Sequence, residues 1–146
     1  LGKEAAQLGR RCVLVTGRAS MRSSGTLDRT VLCLNESGVE TTLFEGVEED
    51  PTVATVDRIR GLVAEAKAEF VIGLGGGSAM DAAKAAAGLA RETSPTAVFL
   101  RDENRARPGL PTIAVATTSG TGAEVTPNAV ITDAAGPLKA SLRKGR

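Results

Sequence analysis

Four short runs of apolar, largely β-branched residues recur along the chain, and after each of the first three comes a longer segment with apolar residues every three or four positions. Strand-length runs alternating with helix-period stretches predict βα units, and hence an α/β fold whose mostly parallel sheet is covered on both faces. The first run, 12–16, leads through a polar loop at 17–25 to a helix over 27–37, in which Leu27, Val31 and Leu34 share a face and Gly38 supplies the stop. The second strand, 41–44, precedes a helix opened by Asp50, Pro51 and Thr52 and reaching to about residue 68, with Val53, Val56, Ile59 and Val63 as its apolar stripe. Proline suits such an entry because its missing N–H has no helical partner there.

The third strand, 70–74, runs straight into Gly75, Gly76, Gly77 and Ser78 and then into an alanine-rich helix to about residue 90. Alanine is the best helix former, and its small side chain lets a helix lie close to a sheet. After a polar stretch ending at Pro111, the fourth strand, 112–116, meets a second loop of small residues at 117–122. Alternation at 128–132 and 138–142 around Asp133, Ala134, Ala135 and Gly136 predicts a β-hairpin. The expected architecture is one doubly wound, Rossmann-like domain with a carboxyl-terminal hairpin.

Composition narrows the functions open to this fold. The 146 residues suit a single domain. Eighteen basic and 17 acidic side chains give a net charge of +1, too little to create the cationic field that nucleic acid or an anionic membrane surface would require. No apolar stretch approaches the roughly 20 residues that cross a bilayer, and no signal-like start is visible. A soluble, cytoplasmic protein is expected. Cys12 and Cys33 lie in apolar runs without CxxC spacing, which predicts reduced core thiols. Histidine is absent, so neither a histidine-based metal site nor Ser/His/Asp chemistry can be completed within the chain. The start at Leu1 and a basic, uncapped end over 142–146 read as a fragment of a longer protein.

The chemistry that remains is concentrated in two loops. A helix N-terminus carries unpaired N–H groups and a partial positive charge, so a glycine turn between a strand and a helix is a ready anion site. Residues 75–78 supply such a turn; Ser78 is placed to cap the helix, and Asp81, three positions on, to complete a capping box. A capped glycine turn needs no ligand, but three consecutive glycines cost chain entropy that folding alone does not call for. The theme is repeated after the next strand by Thr117, Thr118, Ser119, Gly120, Thr121 and Gly122, at the carboxyl edge where α/β sheets bind ligands. The match to the usual dinucleotide fingerprint is weak: Gly73, Gly75 and Ser78 stand in for GxGxxG, and Glu92, near the right spacing for an acidic partner, follows a helix rather than a strand.

These residues resemble a known family. Gly75, Gly76, Gly77 and Ser78 with Asp81 and Lys84 resemble the GGGSxxDxxK signature of the iron-containing alcohol dehydrogenases, and residues 117–126 resemble their TTxGTGxEVT segment. The resemblance implies an amino-terminal domain that binds NAD or NADP and a following helical domain that holds iron or zinc through one aspartate and three histidines. It places 1–146 as the nucleotide domain of a two-domain oxidoreductase that interconverts an alcohol and its aldehyde or ketone; the isolated piece would bind dinucleotide weakly and reduce nothing. Its partners would be the dinucleotide and a small alcohol or aldehyde, with a homodimer left open.

Position by position, the resemblance gives the pyrophosphate to Gly76, Gly77 and Ser78 and the nicotinamide ribose region to Asp81. Thr117, Thr118, Ser119 and Thr121 would line the adenosine and phosphate path, and Asn128 and Lys139 match further nucleotide-reaching positions. Lys84, one turn beyond Asp81, is expected as a surface pair with it. Where NAD-using members place an aspartate after the first strand, this chain has Gly17, followed by Arg18, Ser20 and Arg22. That pattern resembles NADP-preferring members, since arginine pairs a phosphate through forked, charge-assisted bonds. Asp50 stands where many members have asparagine, either weakening a cofactor contact or capping the helix. Two other readings stay open: the nucleotide domain of a dehydroquinate synthase-like sugar-phosphate cyclase, against which Gly17 and the Thr126, Pro127, Asn128 continuation argue, and a non-catalytic nucleotide-binding module.

Overall fold

Residues 1–100, 108–133 and 139–143 are described in a computed structural model, apart from the side chains of Lys139 and Arg143. The strands β1 (Arg11–Gly17), β2 (Glu40–Val47), β3 (Phe70–Gly75) and β4 (Thr112–Ala116) form one parallel sheet in the order β2-β1-β3-β4. Strands β5 (Asn128–Thr132) and β6 (Lys139–Arg143) form a separate antiparallel hairpin. The helices are α1 (Gly2–Leu8), α2 (Ser20–Ser23), α3 (Thr26–Glu36), α4 (Val53–Glu65), α5 (Gly77–Gly88) and α6 (Thr96–Phe99). No described helix is long and apolar enough to cross a membrane.

Alternation along the strands divides the core in two. Cys12 and Leu14 of β1 with Phe70, Ile72 and Leu74 of β3 face Ala5 of α1 and Leu27 and Leu34 of α3. Val13, Val15 and Val71 face the other way, onto Val56, Ile59 and Val63 of α4 and the alanines of α5. All of β3 is buried, so its run of apolar residues carries no polar alternation. The expected doubly wound α/β domain with a terminal hairpin is the fold observed.

The helix α5 is held between the sheet and the hairpin, where Ala129, Ile131 and Leu142 join its alanines in one cluster. A Cβ on Gly73 would lie 2.9 Å from Met80 Cα and 2.9 Å from Ala83 Cβ, so the missing side chain in β3 lets the helix settle onto the strand. Gly73 and the alanines of α5 therefore serve one close contact, and that contact fixes where the α5 N-terminus emerges.

Several boundaries differ from the sequence expectation. The short helices α1 and α6 lie in stretches that carry no helical stripe of their own, and α2 sits within the loop expected over 17–25. Pro51 precedes α4 rather than opening it: Thr52 is the N-cap, its hydroxyl accepting from the Thr55 N–H at 3.3 Å. The same helix ends at Glu65, where Lys67 turns to φ 49° and Ala68 N–H donates back to Val63 at 3.0 Å. Of the two reduced cysteines, Cys12 is buried but Cys33 is half-exposed, because α3 turns only Leu27, Thr30 and Leu34 fully inward. The expected hairpin turn falls, beyond Asp133, outside the described residues, as does the basic tail beyond Arg143.

Candidate functional site

Four parallel strands deliver their carboxyl ends, and the loops that follow them, to one edge of the sheet. At the end of β3 the chain passes through Gly75 at φ 140° and Gly76, which is the N-cap of α5. Among the described residues, no side chain caps this helix end. The expected capping box does not form: Ser78 already lies inside the first turn, and Asp81 turns away from the cap. Its Oδ2 accepts from the Val130 N–H at 3.1 Å and its Oδ1 pairs with Lys84 Nζ at 2.9 Å. The first-turn N–H groups of α5 are thus left without a side-chain cap, in the manner of an anion site.

The loop after β4 folds against this turn. Thr117 N–H donates to the Gly75 carbonyl at 3.0 Å. A Cβ on Gly77 would stand 3.1 Å from Thr121 Cγ2 and 3.2 Å from its Oγ1, and one on Gly76 would stand 3.4 Å from Thr118 Oγ1. The two loops approach closely because glycine offers no side chain between them. Gly120 and Gly122 take φ values of 128° and 63°, conformations in which other residues would be strained.

Lys84 ties the second loop to α5. Its Nζ donates to the carbonyls of Ala123 at 2.9 Å, Thr126 at 3.3 Å and Asn128, and pairs with Asp81. The expected surface pair is instead an interior strut, since the two side chains are only 13% and 15% exposed. The pair forms at i,i+3 as its spacing suggests, but the 123–128 segment and the hairpin cover it. Periodicity within one helix cannot report such a cover.

A third wall comes from the segment between β2 and α4. Glu48 Oε1 accepts from the Thr52 N–H at 2.9 Å, the Thr52 hydroxyl at 2.9 Å and the Thr55 hydroxyl at 2.8 Å. Partial burial pushes the Glu48 carboxyl up, but these bonds and its own N–H outweigh it and hold the group below the usual glutamate range. Pro51 in turn accepts from the Thr132 N–H at 2.9 Å, so the segment is pinned at both ends. Asp50 takes φ 52°, a left-handed conformation that aspartate tolerates better than most residues. The N-cap position of α4 is held by Thr52 rather than by Asp50.

These walls enclose a cleft of about 370 Å³, within the size range of small-molecule sites. Of the expected site residues, Asp50, Gly77, Ser78, Asp81, Thr121 and Asn128 line it together. Gly76 lies just behind, under Thr118. Thr117, Thr118 and Ser119 are exposed along the adjoining loop, and Arg18 and Ser20 are exposed beyond the end of β1; none of these five, nor Gly17, borders the cleft. Lys139 pairs with Thr132 across the hairpin.

Pro51, Ala123, Thr126, Val130 and Ser141 also line the cleft, and sequence reasoning did not assign them there. Thr126 falls inside the second motif and could have been included. Val130 and Ser141 face each other across the hairpin, a relationship visible only once its register is known.

Among the described residues, a Cβ on Gly17 at the end of β1 would meet only the Val47 carbonyl oxygen, at 3.8 Å, which leaves open space at this position. Arg22 reaches β2, its Nε and Nη2 donating to Glu45 at 2.9 and 2.7 Å. The hydrogen bonds from Arg22 hold the Glu45 carboxyl below its usual range, so both groups are charged at neutral pH. Among the described residues no three His, Cys, Asp or Glu side chains gather as a metal-ion site.

The sequence profile of the family described as iron-containing alcohol dehydrogenase matches residues 1–145. The chain is similar to the NADPH-dependent butanol dehydrogenase of Clostridium saccharobutylicum, with 37% identity over 132 residues, 86% of this chain and 33% of that protein. The probable NADH-dependent butanol dehydrogenase 2 of Bacillus subtilis is 35% identical over 134 residues, 91% of this chain and 34% of that one. Among solved structures, the NADH-dependent butanol dehydrogenase A of Thermotoga maritima superposes with a TM-score of 0.92 at 30% identity, covering 98% of this chain and 36% of its own. The chain spans about a third of the length of the curated relatives it matches.

Proposed function

The chain belongs to the iron-containing alcohol dehydrogenase family, and from that premise we propose that it forms the dinucleotide-binding domain of a longer, cytoplasmic two-domain oxidoreductase, which uses NADP(H) in preference to NAD(H) to interconvert an alcohol and its aldehyde or ketone. The observation that carries this reading is the uncapped N-terminus of α5, which opens on the same cleft as Thr121. A diphosphate fits this cradle, because Gly77, Ser78 and Thr121 border one cleft at the helix N–H groups, and glycine at 77 lets Thr121 come close beside them.

In this reading the backbone of Gly76, Gly77 and Ser78 holds the diphosphate, and the Thr121 hydroxyl donates to one of its remaining oxygens. Thr117, Thr118 and Ser119 continue the path toward the adenosine. Asp81, its charge balanced by Lys84, keeps the Val130 strand against α5 and borders the nicotinamide ribose, with Asn128 and Lys139 on the hairpin side. Asp50 stands at the cleft wall, where its carboxylate accepts hydrogen bonds from sugar hydroxyls. When bound, the nicotinamide supplies the hydride acceptor or donor of the reaction.

The residues present do not fit the iron or zinc implied by the family resemblance, since the chain has no histidine and the described acidic and thiol groups form no cluster. These residues by themselves hold dinucleotide and reduce nothing. Relatives named for NADPH and for NADH both occur, so the preference for NADP(H) rests on Gly17, Arg18 and Ser20. Calorimetric titration of the full-length protein with NADPH and with NADH tests it. Tighter binding of NADPH supports the reading, tighter binding of NADH overturns the preference, and failure to bind either overturns the function.

A further inference from the structure

Arg22 would be the second cation of a loop that reads a 2′-phosphate, yet its guanidinium is already engaged. Two parallel bonds, at 2.9 and 2.7 Å, join it to both carboxylate oxygens of Glu45. In the parallel register Glu45 lies directly opposite Thr16, one residue short of Gly17 and beside the irregularity where Gly17 pairs with Val47. The carboxylate therefore belongs to the same strand edge as the open space in front of Gly17. Phe44 next to it points into the α4 and α5 core, so alternation sends Glu45 to the opposite face, where α2 and α3 lie.

The pairing has two electrostatic consequences. Arg22 and Glu45 cancel each other's charge where a phosphate reader needs a surplus of positive charge. The fork on Arg22 also suits a phosphate as well as it suits a carboxylate, so the two anions compete for the same donors. Both partners are substantially exposed, at 55% and 32%, and exposed pairs of this kind are weak enough to exchange.

Resting on the dinucleotide reading above, we propose that Glu45 sets the selectivity between NADP(H) and NAD(H) by holding Arg22: a 2′-phosphate draws the guanidinium only by displacing this carboxylate. Glu45 touches no part of the nucleotide in this account. It is a specificity-determining residue that acts through Arg22, and it makes the chain less selective for the phosphorylated dinucleotide than its basic loop suggests.

The test is a binding cycle in the full-length protein, with NADPH and NADH titrated against the wild type, Glu45→Gln, Arg22→Met and the double variant. Glu45→Gln is expected to tighten NADPH about tenfold, the scale of one charge-assisted bond, while NADH changes less than about twofold. In the Arg22→Met background the same substitution is expected to have almost no effect on NADPH. A Glu45→Gln variant that leaves the NADPH to NADH ratio unchanged overturns the proposal, and so does an equal gain in both backgrounds, which would mean that Glu45 acts through its own charge. If the wild type binds both dinucleotides in either of those cases, the cofactor reading survives. A wild type that binds neither overturns both. Thermal midpoints close to the wild type are expected throughout, because the pair is exposed.

Discussion

Thr121 lies against Gly77 so closely that a Cβ on the glycine would stand 3.1 Å from the threonine methyl and 3.2 Å from its hydroxyl oxygen. This contact joins the turn after β3 to the loop after β4 and gives them a common cleft. Gly77→Ala would force Thr121 back by a few tenths of an ångström; the loop is exposed and can yield. The fold is expected to survive with little change in thermal midpoint, while NADPH affinity falls about tenfold or more as Thr121 is pushed from its place beside the α5 N-terminus. Calorimetry and thermal melts on the same preparations separate the two effects.

Gly73 is the opposite case. Its neighbours, Met80 Cα and Ala83 Cβ, sit at 2.9 Å from an added Cβ and belong to a packed helix that cannot retreat. Gly73→Ala is therefore expected to destabilise the protein by about 1–3 kcal/mol, the usual cost of overpacking a core. Equilibrium denaturation in urea reads it directly.

Lys84 donates to the carbonyls of Ala123, Thr126 and Asn128 and pairs with Asp81 in a place where both side chains are mostly covered. Lys84→Met keeps the length but strands a carboxylate, and a loss of about 3 kcal/mol is expected, in line with removal of one partner from a buried pair. Adding Asp81→Asn should recover part of that loss, because no unpaired charge then remains. Denaturant melts of the two single variants and the double variant measure the coupling.

Glu48 gives a pH signature. Its folded carboxyl titrates below the ordinary glutamate value because hydrogen bonds outweigh the upward push of burial. A depressed folded value means that its stabilisation is complete above the ordinary glutamate range and is lost as pH falls through that range toward the lower folded value. Glu48→Gln should therefore lower the melting temperature at neutral pH and flatten its decline in acid. Melts of both proteins from neutral pH down through the glutamate range check the sign.

Gly17→Asp tests the first loop. The added side chain has open space, and a carboxylate there would accept bonds from a ribose diol and repel a 2′-phosphate. The ratio of NADPH to NADH affinity is expected to fall at least tenfold, mostly through loss of NADPH binding. Paired titrations give the ratio.

The parallel sheet and its two helix layers were legible because each strand is a short β-branched run and each long helix carries an apolar stripe. Helix α1 was not, because Ala5 gains its burial from α3 rather than from a stripe of its own. The glycine turn was legible as an anion site from local chemistry alone. Its partnership with Thr121 depends on the parallel pairing of β3 with β4, and Lys84 reads as a surface residue until the 123–128 segment is laid over it. Glu45 carried no sequence signal, since only the register of β1 against β2 brings it within reach of Arg22.

A crystal structure of the full-length protein with bound NADPH tests most directly whether the two glycine loops make one dinucleotide site. The expected result places the diphosphate oxygens within hydrogen-bonding distance of the Gly77 and Ser78 N–H groups and the Thr121 hydroxyl. A diphosphate bound away from the α5 N-terminus, with the cleft beside Thr121 closed, would contradict it.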